Sequence, residues 1–267
     1  MDLHRFDNKA AIVTGGSSGI GRSVVEELCK EGASVTFCGL SEIGCSTEKQ
    51  LRGAGFNVQF VRGDMSDEQF RRKLADEAYK KWGKINYLVN NAFSFTAKGL
   101  DATSEDWDRV MQTGPIAYAA MGQCVVEAMR EQSGGAIVNM SSVSAFIAQP
   151  NRWTYNAAKG AVHTLTKCMA LDLAPYNIRV NSVSPGWIWT REVNKAADGD
   201  REKWEPLWGQ FHMLHRCGQP VECARPILFL LSDDASFITA ADLPIDGGYQ
   251  GLGSEGLGKL STFAGSC

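Results

Sequence analysis

The stretch Ala10-Ala11-Ile12-Val13-Thr14-Gly15-Gly16-Ser17-Ser18-Gly19-Ile20-Gly21 decides how the rest of the chain is read. Four apolar residues run into a glycine turn, and the turn runs directly into an amphipathic stretch carrying Val24, Val25 and Leu28. A strand, a glycine turn and a helix in that order aim backbone N–H groups and the positive end of the helix at an anion, most often a pyrophosphate. The spacing is GxxxGxG and not the GxGxxG of many dinucleotide enzymes. Such a turn is weak by itself and gains weight only from what surrounds it.

Outward from that turn, short apolar runs at 10–13, 34–38, 58–61, 87–89, 136–140, 179–182 and 243–245 alternate with helical spacing at 20–30, 67–81, 105–130, 155–173 and 221–230. The alternation predicts an α/β fold, a Rossmann-type doubly wound parallel sheet of about seven strands with helices on both faces. No linker divides the chain. We expect a single dinucleotide-binding catalytic domain over 1–249, an irregular substrate-loop region over 191–218 and a glycine-rich C-terminal tail over 250–267.

Lysines and arginines number 27 against 30 aspartates and glutamates, a formal net charge of −3. That balance argues against a nucleic-acid partner or a polybasic membrane surface. With 44% hydrophobic residues the chain can bury a core, which argues against disorder. No apolar run approaches the ~18 residues of a membrane span, and residues 1–9 are polar, so a soluble, cytoplasmic protein is expected. Eight cysteines lie scattered without CxxC spacing and read as free thiols. His212 and His215 are three apart but lack a third ligand at useful spacing, so no metal is expected.

Tyr155 and Lys159 are four residues apart, which places both on one face of a helix. A tyrosine with a reference pKa of about 10 is a poor base at neutral pH unless a nearby cation favours the phenolate. Together with Ser142 and the glycine turn, this pair brings the sequence to a known pattern: it resembles the short-chain dehydrogenase/reductase family, of the classical type about 250 residues long. Thr14, Gly15, Gly19 and Gly21 match that family's cofactor turn, Asp64 its adenine aspartate, and Asn90-Asn91-Ala92 its sheet-stabilising motif. Ser142, Tyr155 and Lys159 match its catalytic residues, Pro185-Gly186 with Thr190 its nicotinamide segment, and Asp246-Gly247-Gly248 continues the pattern. The likeness runs from about Phe6 to Tyr249.

The resemblance implies an NAD(P)-dependent oxidoreductase interconverting a carbonyl and a secondary alcohol. Tyr155 would be the acid/base, Ser142 the binder of the substrate oxygen, and Lys159 the modulator of the tyrosine and a ribose ligand. The implied cofactor contacts are Thr14, Gly15, Ser17, Ser18, Gly19, Ile20, Gly21, Gly39, Leu40, Ser41, Asp64, Met65, Asn91, Ala92, Tyr155, Lys159, Pro185, Gly186, Ile188 and Thr190. It also implies a homo-oligomer, a tetramer or a dimer, built on the helices at 105–130 and 155–173.

Gly39 stands where NAD-preferring members carry aspartate, so the acidic barrier to a 2′-phosphate is absent. Ser18 and Leu40 stand where NADP-preferring members often carry Arg or Lys. We expect NADP(H) to be favoured, with NAD(H) as the alternative, and Ser18 or Ser41 as neutral donors to the phosphate.

Two positions depart from the family. The asparagine that forms its fourth catalytic member is replaced by Gly114 within Gln112-Thr113-Gly114-Pro115. Catalysis is either lost or rescued locally; with serine, tyrosine and lysine intact, we expect Pro115 to bend the helix and free a carbonyl for the relay water. Phe93 replaces the glycine that usually follows Asn-Asn-Ala, and either repacks the cofactor's edge or narrows the substrate site.

Five tryptophans fall between 153 and 208: Trp153, Trp187, Trp189, Trp204 and Trp208. With Phe93 and Phe95, the substrate-lining candidates are Trp153, Trp187 and Trp208. An aromatic wall suits a hydrophobic or cyclic alcohol or ketone, although Arg152 and Arg191 could recognise an anionic group. The alternative class is a cofactor-binding isomerase, cyclase or scaffold protein on the same fold.

Overall fold

A strand that is apolar at every position must be covered on both faces, and β1 (Ala10–Val13) is buried at all four of its residues. The computed structural model describes residues 4–253 and sets β1 inside one sheet, beside the central strand. Its other strands are β2 (Ser34–Gly39), β3 (Val58–Arg62), β4 (Tyr87–Asn90), β5 (Gly135–Met140), β6 (Ile178–Pro185) and β7 (Asp242–Ile245). All pair in parallel, in the order β3-β2-β1-β4-β5-β6-β7. The strand order reverses beside β1, so the C-terminal ends of β1 and β4 open a crevice of the kind that takes ligands in doubly wound sheets.

The helices are α1 (Gly19–Lys30), α2 (Ile43–Gly53), α3 (Glu68–Trp82), α4 (Ser104–Met111), α5 (Ala117–Glu131), α6 (Trp153–Leu173), α7 (Arg191–Ala196), α8 (Arg201–Gly209) and α9 (Pro220–Leu231). Side chains alternate across the strands, so Ala11 and Val13 face one layer and Ile12 the other. The first layer is filled by Val24, Val25 and Leu28 of α1 with Ile227, Leu228 and Leu231 of α9. The second is filled by α3, α5 and α6, through Leu74, Met121, Val125, Met129 and Val162.

The structure departs from the sequence reading in four elements. The helix expected over 105–130 is two helices, because the chain leaves helical geometry at Gly114 (φ −99°, ψ −110°) in a π-type turn, Gln112–Ile116, where Pro115 has no N–H to give. The α2 helix escapes the apolar pattern because it buries only Gly44, Thr47 and Leu51. The region 191–218 is not irregular throughout: it holds α7 and α8, and its base is tied by Trp189 N–H to Gly218 O (2.8 Å) and Gly218 N–H to Trp187 O (2.8 Å). Strand β6 is also longer than the expected 179–182. Of the tail over 250–267, residues 254–267 lie outside the described residues, as does Cys267. The other seven cysteines are free thiols, and no helix among the described residues is long and apolar enough to cross a membrane.

Polar pins hold the strand ends that frame the crevice. Thr14 Oγ1 accepts the N–H of Asn91 (2.9 Å) and of Ala92 (3.0 Å), while Asn91 Nδ2 donates back to the carbonyls of Thr14 (3.0 Å) and Gly15 (3.2 Å). Deeper, Asn90 Nδ2 donates to Asn139 Oδ1 (2.9 Å), and Asn139 Nδ2 donates to Thr166 Oγ1 (3.0 Å) on α6. Thr14→Val keeps the shape of the side chain but removes the acceptor shared by two amides. It should lower stability by about 1–3 kcal/mol in urea unfolding, with Thr14→Ser retaining most of the difference.

Candidate active site

Two cavities, of about 510 and 500 Å³, meet at the C-terminal edge of the sheet. They share Ile20, Asn91, Phe93, Phe95, Thr190 and Glu192, so one continuous cleft runs from the glycine turn to α6. Of the residues expected to hold a cofactor, Gly15, Ser17, Ser18, Gly19, Gly39, Leu40, Ser41, Asp64, Met65 and Ala92 line the first cavity. Pro185, Gly186 and Ile188 line the second, together with Ser142, Tyr155 and Lys159. Thr14 and Gly21 line neither and act from behind. A Cβ on Gly21 would lie 2.3 Å from Gly15 O, so only glycine lets α1 start against the turn.

The residues of this cleft fit a dinucleotide. Ser17 Oγ is buried without a hydrogen-bond partner. Gly39 gives it room, since a Cβ there would lie 2.3 Å from that oxygen. The turn keeps Gly15 at φ +68° and Gly19 at φ +57°, conformations that favour glycine. Asp64 is bound by Ser66 N–H (2.9 Å) and Arg109 (3.0 Å). Burial alone would raise its carboxyl, but those hydrogen bonds and the arginine charge hold it below its usual value.

In the second cavity Lys159 is buried and its Nζ donates to Met140 O at 2.8 Å. The same ammonium sits 4.1 Å from the centre of the Phe93 ring and 5.8 Å from that of Tyr155. Burial pushes the Lys159 ammonium down to about 7. Burial also raises the Tyr155 hydroxyl, opposed by Ser142 and by the charge of Arg152. Ser142 Oγ accepts Ser144 N–H (3.2 Å), which fixes the turn after β5.

The two departures from the family pattern meet in space. A Cβ on residue 114 would lie 2.7 Å from Phe93 Cε2, so the phenyl ring occupies the room a side chain at 114 would take. The bend at Pro115 is present as expected. Phe93 lines both cavities and packs edge-on to Tyr155 at 5.4 Å between ring centroids.

Among the aromatic candidates, Phe95, Trp187 and Trp208 line the second cavity, with Trp187 and Trp208 stacked at 4.9 Å. Trp204 and Trp189 extend that stack from behind. Trp153 does not join them: it is 53% exposed at the start of α6 and lines neither cavity. His212, considered for a metal, accepts Trp187 N–H through Nε2 at 3.1 Å and so braces the turn at Gly186. The sequence reading missed Arg109 and Gln149, which line the first and second cavity, and Arg62, which lies beside the first without lining it. Arg62 lies opposite Gly39 in the β2–β3 register, a pairing visible only once the strands are aligned.

A cleft at the reversal point of a parallel sheet, entered by a glycine turn, defines a Rossmann-type dinucleotide-binding fold. Comparison with known proteins narrows the class. A family model described as enoyl-(acyl carrier protein) reductase matches residues 15–250. The chain is 36% identical to cyclopentanol dehydrogenase of Comamonas testosteroni over 92% of this chain and 99% of that one. It is 34% identical to the NADP-dependent (R)-specific alcohol dehydrogenase of Lentilactobacillus kefiri (92% and 98%) and 35% identical to dehydrogenase/reductase SDR family member 4 of Homo sapiens (90% and 87%). The crystal structure of gox2181 superposes with a TM-score of 0.87 at 30% identity, covering 94% of this chain and all of that one. The chain belongs to the short-chain dehydrogenase/reductase family and is an NAD(P)-dependent oxidoreductase.

Two predictions follow from the packing around Lys159. Its ammonium falls from 10.5 in the unfolded chain to about 7 in the folded one. The unfolded chain therefore binds the extra proton between those values: the destabilisation is complete below pH 7 and is relieved as pH rises through the window. Without cofactor, the stability of wild type relative to Lys159→Met should rise by on the order of 3 kcal/mol between pH 7 and pH 9.5 in urea titrations. Separately, Gly114→Ala should destabilise wild type more than it destabilises Phe93→Ala, with a coupling above about 0.5 kcal/mol in a double-mutant cycle.

Proposed function

We propose that this protein is an NADP(H)-preferring alcohol dehydrogenase/carbonyl reductase for a hydrophobic or cyclic secondary alcohol and its ketone. The observation that carries this reading is the meeting of Ser142, Tyr155 and Lys159 on the wall of one aromatic-lined cavity that is continuous with the dinucleotide cleft. The backbone of the glycine turn and the start of α1 would hold the pyrophosphate, Asp64 the adenine side, and Tyr155 and Lys159 the nicotinamide ribose. Bound there, the nicotinamide supplies or accepts the hydride.

The chain's own residues manage the substrate oxygen and its proton. In reduction the Tyr155 hydroxyl gives its proton to that oxygen, and burial, which keeps the hydroxyl protonated, suits it to the task. The Ser142 hydroxyl donates a hydrogen bond to the same oxygen and stabilises the charge that develops there. In oxidation Tyr155 takes the proton back, helped by positive charge on Lys159 whenever that amine is protonated.

Preference for NADP(H) is supported at the adenosine end. Gly39 presents no carboxylate, and Arg62 beside it donates through Nε to Leu40 O (2.9 Å) while its guanidinium meets Glu42. A 2′-phosphate can compete with Glu42 for that guanidinium. The L. kefiri relative is named as NADP-dependent, and the name of the C. testosteroni relative specifies a cyclic alcohol.

Tyr155→Phe should lower kcat by roughly 10²- to 10⁴-fold on a cyclic ketone while NADPH still binds, as read by its fluorescence. NADPH should bind more tightly than NADH, and Arg62→Gln should narrow the gap. Full activity in Tyr155→Phe would overturn the proton assignment, and tighter binding of NADH would overturn the cofactor assignment.

A further inference from the structure

Three charged side chains line the substrate-side cavity: Arg152, Lys159 and Glu192. Two are committed. Lys159 Nζ is bonded to Met140 O at 2.8 Å, and Glu192, largely exposed at the rim, is paired with Lys195 at 3.0 Å. Arg152 differs from both. It is half-buried, and among the described residues its guanidinium has neither a carboxylate in ion-pair range nor a hydrogen-bond acceptor. It is held only by aromatic faces, 5.5 Å from the Trp187 ring centre and 5.7 Å from that of Phe95.

An arginine laid on aromatic rings can be ordinary packing, since cation–π contacts at exposed sites contribute about 0.5–1 kcal/mol. Three observations favour a ligand here. The guanidinium offers five donors to a cavity wall that contains no carboxylate to receive them except the already paired Glu192. On the same cavity wall, Ser144 Oγ donates to Gln149 Oε1 at 2.6 Å; this fixes the amide of Gln149 and leaves its NH₂ group as a second donor. Trp187 and Phe95, which hold Arg152, also line the cavity, so the ring of a substrate and its charge would meet adjacent surfaces.

Resting on the oxidoreductase reading above, we propose that Arg152 is an anion receptor in the substrate site and that the physiological substrate class is a cyclic or aryl ketone, or the matching alcohol, that carries a carboxylate. A single planar fork suits a carboxylate, which it can meet with two parallel hydrogen bonds. The aromatic wall takes the ring, and Ser142 and Tyr155 take the oxo group. The charge of Arg152 reaches Tyr155 and lowers its hydroxyl; a bound carboxylate cancels that effect and leaves the tyrosine a protonated donor.

The test compares 3- and 4-oxocyclohexanecarboxylate with the corresponding carboxamides, using NADPH and wild type, Arg152→Lys and Arg152→Met. In wild type, kcat/KM for one oxo acid should exceed that for its amide by roughly 10- to 100-fold. Arg152→Met should erase that ratio, and Arg152→Lys should retain part of it through charge without the fork. A binding arm reads quenching of tryptophan fluorescence, since Trp187 and Trp208 line the cavity. The unreactive cyclohexanecarboxylate should saturate at lower concentration in wild type than in Arg152→Met, and cyclohexanecarboxamide should show no such difference. NADPH binding by each variant reports that it is folded.

An oxo acid no better than its amide in wild type, or a preference that survives Arg152→Met, would overturn the receptor and leave Arg152 as packing. If no ketone is turned over, the redox reading fails by itself, and the fluorescence arm still decides whether Arg152 binds an anion.

Discussion

The hydroxyl of Thr14 holds together the edge on which everything else in this molecule rests. A parallel sheet buried on both faces can host chemistry only where its strands end, and there the backbone groups lack the ladder that satisfies them elsewhere. Thr14 Oγ1 receives two amides from the end of β4, and Asn91 returns two bonds to the turn after β1. The crevice between β1 and β4 therefore has a fixed width. The Asn90–Asn139–Thr166 chain extends the same frame to α6, the helix that carries Tyr155 and Lys159. The two cavities that meet at this edge are thus framed by one polar network.

Within that frame, the two departures from the family pattern pack around the buried Lys159. A buried ammonium without a carboxylate partner is costly, and the protein surrounds it with weaker compensation, the Met140 carbonyl and the face of Phe93. The Phe93 ring needs room, and that room lies over Gly114. Phenylalanine at 93 and glycine at 114 are therefore a matched pair. A side chain at 114 would require the Phe93 ring to shift.

How much of this was legible in the sequence depended on the range of the interaction. The strands at 10–13 and 136–140 announce themselves because burial on both faces makes them apolar at nearly every position, and the turn between Thr14 and Gly21 because its glycines lie close together in sequence. The Tyr155–Lys159 pair was legible for the same reason, one helical turn. By contrast, α2 presents too few apolar side chains to show a period, and while Pro115 announced a bend, the spacing on either side of it hid that the bend divides the stretch into two helices. Phe93 and Gly114 are 21 residues apart, and nothing local says that they touch. Trp153 looked like its four companions in composition, but the first turn of α6 sets it outward, at 53% exposure.

The same distinction applies to charge. A net charge of −3 over the whole chain says little about the cleft, where Lys159 and Arg152 line one cavity and Arg62 lies opposite Gly39, which lines the other. Each cation is offset differently: Arg62 by Glu42, Lys159 by a carbonyl and a ring, and Arg152 by aromatic faces alone. An offset by a carboxylate can be exchanged for a ligand phosphate at little net cost, because one ion pair replaces another. An offset by aromatic faces leaves every donor of the guanidinium available, so a ligand anion adds hydrogen bonds without displacing any. The three cations thus differ in what a ligand anion would have to displace: a carboxylate at Arg62, a carbonyl and a ring at Lys159, and no hydrogen bond at all at Arg152.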